Sequence, residues 1–110
     1  MIRHILLVKF KPESNEADFG EIREEFKSMT ERVEGVVSVE WGENDSPEGK
    51  HQGFTHIILM TLQDEAARQR YLVDPEHDAL KEVFGPHIED IIVVDYTLVA
   101  DTVQEKDGVS

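Results

Sequence analysis

Apolar and polar positions along this chain fall into two periods that alternate from segment to segment. Residues 2–10 set Ile2, His4, Leu6, Val8 and Phe10 against Arg3, Ile5, Leu7 and Lys9, the period of two that marks a strand. Lys11-Pro12 ends that strand, and Ser14 or Asn15 can cap a following helix. Phe19, Ile22, Phe26, Met29 and Val33 then recur at intervals of 3, 4, 3 and 4, one apolar stripe on a long amphipathic helix. Gly20 interrupts it at a cost of about 1 kcal/mol relative to alanine, and Gly35 is a natural stop. A second strand is predicted from Val36 to Gly42, with Val37, Val39 and Trp41 on one side.

Residues 43–53 are polar, carry Pro47 and two glycines, and read as a loop. Phe54 to Leu62 forms the third and most apolar strand. Asp64 caps a short helix through Tyr71 that stops at Val73. Asp74-Pro75 restarts the helix, aspartate suiting the N-cap and proline the first helical position. Leu80, Val83 and Phe84 give this segment its buried side, and Gly85-Pro86 ends it. Ile91 to Leu98 is the fourth strand. Residues 100–110 are acidic and patternless, and are predicted to be a disordered tail beyond a domain covering residues 1–99.

The order β-α-β-β-α-β is that of an α+β, ferredoxin-like fold, a four-stranded antiparallel sheet with helices on one face. Ile5 and Leu7, Ile57 and Leu59, and Ile91 and Val93 are assigned to the side opposite His4 and His56. Helices cover one side only, so a sheet apolar on both sides needs a second cover. Another copy of the same sheet supplies it, and a homodimer through sheet faces is expected.

At 110 residues the chain is large enough for a single core. Its net charge of -13 argues against partnership with nucleic acid or an anionic membrane, both of which require a basic face. No apolar run approaches the roughly 20 residues of a membrane span, and Met1-Ile2-Arg3 runs straight into a strand and not a signal peptide. With no cysteine, disulfides, thiol catalysis and thiolate metal sites are all excluded. A cytoplasmic location is the default expectation.

The five histidines then carry most of the remaining information. His4 and His56 stand inside strands, where imidazole is costly unless both ring nitrogens find partners. With Tyr71 on the second helix and His77 just after Pro75, they could converge between sheet and helices. A neutral imidazole can take a proton near pH 7, and a phenol can steady a developing enolate. Together they suit proton abstraction beside a carbonyl without cofactor. Each residue also has a structural reading. His4 and His56 also read as satisfied core histidines, Tyr71 as a core aromatic, and His77 as a tie between the Asp74-Pro75 corner and the sheet. Two electrostatic influences on His77 oppose one another, the helix N-terminus favouring the neutral ring and Asp74, Glu76 and Asp78 the charged one. His51 and His87 read as solvated loop residues, and Asp74 as an N-cap. Asp95 could pair across a dimer or with Arg3 or Lys9. No histidine pair has ligand spacing such as His-x-x-x-His.

Ile2-Arg3-His4-Ile5-Leu6-Leu7-Val8-Lys9-Phe10-Lys11, Trp41-Gly42, Gly53-Phe54-Thr55-His56, Tyr71-Leu72-Val73-Asp74-Pro75-Glu76-His77 and Asp95-Tyr96 together resemble the stress-responsive A/B barrel (Dabb) domain, from about Met1 to Val99. The resemblance implies a dimeric α/β barrel of two ferredoxin-like units packed sheet to sheet. A plant cyclase of that family performs a cofactor-free aldol cyclisation of a linear polyketide thioester. On that resemblance the base is His77, the assisting tyrosine Tyr71, and His4 and His56 line the pocket. Asp74 stands where the family's His-Pro-x-His motif has its first histidine, which alters the charge around the base. Some relatives hold a divalent cation such as magnesium on backbone carbonyls, which match Thr30, Val33 and Val36; its role would be structural. The expectations are a homodimer that binds an unidentified, partly apolar small molecule, with possible cyclase or lyase capacity and no required cofactor. The alternatives are a non-catalytic, stress-associated dimer and a cofactor-independent monooxygenase.

Overall fold

A computed structural model describes residues 1–99 of the chain. Strand β1 (Ile2–Phe10) leads into helix α1 (Glu16–Arg32), followed by β2 (Val36–Glu43) and β3 (His56–Leu62). Helices α2 (Glu65–Val73) and α3 (Pro75–Phe84) come next, and a 3-10 turn over Gly85–His87 delivers the chain to β4 (Ile88–Thr97). The strands form one antiparallel sheet in the order β2-β3-β1-β4, with the helices over one face, so the ferredoxin-like plan is present. The acidic segment expected to be disordered lies outside the described residues.

Local chemistry explains the element ends. Asn15, not Ser14, caps α1: its side chain accepts from the Asp18 amide at 3.1 Å while the Asp18 carboxylate accepts from the Asn15 amide at 2.9 Å. Ser14 meets His87 Nδ1 at 2.9 Å instead. The two helices α2 and α3 share Asp74 at their junction, where its carboxylate accepts from the Glu76 amide at 2.8 Å. Gly35 turns α1 into β2 at a φ of 95°, and a Cβ there would lie 2.5 Å from the Cβ of Ala67. Only glycine satisfies both demands.

Register decides which side chains meet the helices. In the central pair, His4 lies opposite Met60, Leu6 opposite Ile58 and Val8 opposite His56. On the other side of β1, His4 faces Asp95, Leu6 faces Val93 and Val8 faces Ile91. Directly paired residues project to the same face of a sheet, so Ile91 and Val93 belong to the helix-covered side. The sequence reading had them outside. The residues actually opposite are Ile92 and Val94, which pair with Leu7 and Ile5. A bulge between Val36 and Ser38 corrects β2 in the same way. It buries Val36 and leaves Val37 exposed, so Val37 does not share the side of Val39 and Trp41 as expected; those two pack against the core.

Ile22, Phe26 and Met29 of α1 and Leu80 and Phe84 of α3 close over Leu6, Ile58 and Met60 to form the core. Toward the β4 edge the layer is less complete, and a cavity opens there.

Candidate active site

The cavity has a volume of about 380 Å³ and lies between β1, β4 and the α2–α3 pair. Leu6 and Val93 form its floor, Phe26, Leu80 and Phe84 its apolar walls, and His4, Tyr71 and His77 also line it. This size and mixture, mostly apolar with a few convergent polar groups, is that of a small-molecule site.

Tyr71 is the centre of the polar group. Its ring lies 4.5 Å from that of His77 and 6.0 Å from that of His4, centroid to centroid. The residue is 1% exposed, yet among the described residues nothing hydrogen-bonds its hydroxyl and no fully enclosed side-chain polar atom lacks a partner. The hydroxyl therefore keeps its small accessible surface inside the cavity. Burial raises its pKa far above the usual phenol range, so it remains a protonated donor at any physiological pH.

His77 projects from the first turn of α3. Its Nδ1 lies 3.3 Å from the carbonyl oxygen of Leu72, which can only accept, so Nδ1 carries the proton and Nε2 keeps a free lone pair. Burial lowers the His77 pKa below the ordinary imidazole value, and Lys81 and His4 push the same way, against the opposing effects of the Leu72 carbonyl and Asp78. The balance left open by the sequence thus falls on the neutral, basic ring.

His4 is held from behind. Its Nδ1 donates to Asp95 Oδ1 at 2.7 Å, and Arg68 donates to Asp95 Oδ2 at 3.2 Å while also binding Glu65. This fixes the imidazole edge-on to Tyr71. Asp95 was expected to pair across a dimer or with Arg3 or Lys9, and its place here follows from the β1–β4 register. An aspartate directly after the apolar run of residues 91–94 was the available signal, but its partner depended on strand pairing that the sequence does not print.

The remaining candidates lie elsewhere. His56 is not part of this cavity, although it shares the covered face. It sits four residues along β1 from His4 in register, roughly 13 Å at the rise of a strand. There it is boxed by Phe10, Phe19 and Trp41 at 4.9, 5.0 and 5.6 Å, with Nδ1 2.9 Å from Thr55 Oγ1. Asp74 serves as the α3 cap and does not line the cavity. His51 accepts from the Gly53 amide at 3.0 Å in its own exposed loop. Thr30, Val33 and Val36 cluster where α1 passes into β2. The Val33 carbonyl there already accepts from the Val36 amide at 3.3 Å, so this set offers a cation only neutral and partly engaged oxygens. Among the described residues, no group of three histidine, aspartate or glutamate side chains could hold a metal ion.

Comparison with known proteins places this architecture. The model of the Stress responsive A/B Barrel Domain matches residues 2–98. The chain belongs to the Dabb family. Among its curated relatives is olivetolic acid cyclase of Cannabis sativa, 27% identical over 96 residues that cover 87% of this chain and 95% of that protein. A stress-response A/B barrel domain-containing protein of Arabidopsis thaliana is 30% identical over 99 residues, 89% of this chain and 86% of its own length. The crystal structure of another Arabidopsis thaliana protein superposes with a TM-score of 0.87 at 25% identity, covering 94% of this chain and 100% of that one. More distant Dabb-like folds include a hydroxynitrile lyase from Passiflora edulis, with a TM-score of 0.82 at 22% identity over 94% and 96% of the two chains. A dimeric ferredoxin-like protein from Jannaschia has a TM-score of 0.77 at 21% identity over 88% and 98%. In this Dabb chain, no helix among the described residues is long and apolar enough to cross a membrane.

Proposed function

We propose that this Dabb protein binds a small, partly apolar carbonyl compound in the cavity and removes a proton from the carbon beside the carbonyl. The supporting observation is the meeting of a donor-only phenol, Tyr71, with an imidazole, His77, whose backbone bond leaves Nε2 free to accept. In this reading the substrate carbonyl oxygen accepts a hydrogen bond from Tyr71 while His77 Nε2 takes the α-proton. The carbon–hydrogen electron pair moves into the enolate, and Tyr71 steadies the charge on its oxygen. The enolate then attacks a second carbonyl, or expels a leaving group, and imidazolium returns the proton. Kinship with a cyclase favours the first outcome. No bound cofactor enters these steps.

The protein acts as a homodimer in the same proposal. Ile92, Val94 and Tyr96 are 40%, 49% and 49% exposed on the uncovered sheet face, beside half-buried Ile5, Leu7, Ile57 and Leu59. Such a continuous apolar face is rarely left in water.

Turnover of a series of linear polyketide-type thioesters tests the catalytic reading. His77→Ala is expected to abolish product formation and Tyr71→Phe to reduce it 10²-fold or more, about the contribution of one oxyanion donor, with dimers intact in both. Activity equal to wild type in either variant removes that residue from the mechanism.

A further inference from the structure

The chain carries 24 acidic residues against 11 basic ones, yet among the described residues no aspartate or glutamate lines the cavity. Lys81 does. It follows His77 by one helical turn and so shares its face of α3. Its ion pair with Asp78 spans 3.8 Å between side chains 60% and 73% exposed, a contact too open to hold the ammonium in one place. Asp95, the carboxylate behind His4, is engaged by His4 and Arg68 and stays outside the lining. The described lining thus combines apolar walls, the Tyr71 and His77 pair and the ammonium of Lys81, inside a protein whose net charge of -13 otherwise repels anions.

We propose that the ligand is a carboxylate with a hydrocarbon body, its acid group bound by Lys81 at the cavity mouth. This rests on the cavity being a ligand site, as argued above, and adds the charge of the ligand. The four-carbon stem of lysine can follow the apolar wall while its head remains at the rim, a placement that suits an amphipathic acid. Four residues along a helix span about 6 Å, so a carboxylate on Lys81 sets the carbon facing His77 only a few bonds away. Aliphatic oxo acids fit that spacing. One ammonium matches a single carboxylate charge, whereas a phosphate dianion calls for a second cationic side chain that the described lining does not supply.

Isothermal titration calorimetry of the full chain with octanoate, octanamide and octyl phosphate at low salt tests this, beside the Lys81→Met variant. Lys81 is largely exposed, so the substitution is expected to leave the fold intact. Wild type is expected to bind octanoate about three- to tenfold more tightly than octanamide, the range of an open charge contact. Lys81→Met should erase that preference. Equal affinities in wild type, or a preference that survives in Lys81→Met, would overturn the carboxylate assignment while octanamide binding upheld the cavity itself. Tighter binding of octyl phosphate than of octanoate would overturn the choice of carboxylate. Failure of every probe to bind, or to perturb the His77 ring resonances, would overturn the ligand site together with the charge assigned to it.

Discussion

Two local facts make His77 a neutral proton acceptor, a backbone carbonyl that fixes its tautomer and burial that disfavours its charged form. The pH dependence follows. The neutral ring is the active form and its pKa lies below the ordinary imidazole value, so the acidic limb of proton abstraction should have its midpoint below about pH 6.5. A pH–rate profile with its acidic limb above pH 7 would contradict this. His56 titrates with a different consequence. Burial among its aromatic neighbours lowers its pKa in the folded state, so the unfolded chain binds the proton more readily. Stability contributed by the neutral ring is complete above the unfolded-state pKa and is lost as pH falls through the lower, folded-state value. Melting temperature should therefore drop on acidification below about pH 6.5, and His56→Phe should flatten that part of the curve. An unchanged slope in the variant would remove His56 from the effect. Residue types alone pointed to His4, Tyr71 and His77, and the cavity joins those three. They also pointed to His56, because identity and face were legible but position along the strand was not. Its aromatic neighbours, from β1, α1 and β2, are distant in sequence and meet only in the folded chain.

Among the elements, α1 was the most legible, since its stripe and its caps agree. β4 was the least. Ile91, Ile92, Val93 and Val94 form an unbroken apolar run, so alternation could not say which members face inward. Pairing with β1 settled the matter and carried Ile91 and Val93 to the cavity side. The bulge in β2 was invisible for a related reason, because three successive apolar or small residues fit either register. Gly35 is where element geometry bears most directly on stability. Alanine there would combine a left-handed backbone with a contact of 2.5 Å to Ala67, forcing α2 away from the α1–β2 turn. Gly35→Ala should cost about 2 kcal/mol or more in urea unfolding. A loss under about 0.5 kcal/mol would show that the turn relaxes without strain.

For the whole molecule, the helices cover one face of the sheet and leave the other apolar. Ile92 and Val94 stand on the open side, so Val94→Glu should dissociate the proposed dimer without disturbing the cavity, as read by sedimentation velocity. A monomeric wild type would refute the sheet-to-sheet pairing, whereas the grouping of His4, Tyr71 and His77 forms within a single chain. The proton-transfer claim itself is tested most directly by deuterium exchange at the α-carbon of an aliphatic oxo acid in heavy water, which requires no knowledge of the final product. Wild-type protein should accelerate the exchange, and His77→Gln should return it to the rate in buffer. Exchange equally fast with both proteins, or no faster than buffer with either, would contradict the assignment of His77 as a base.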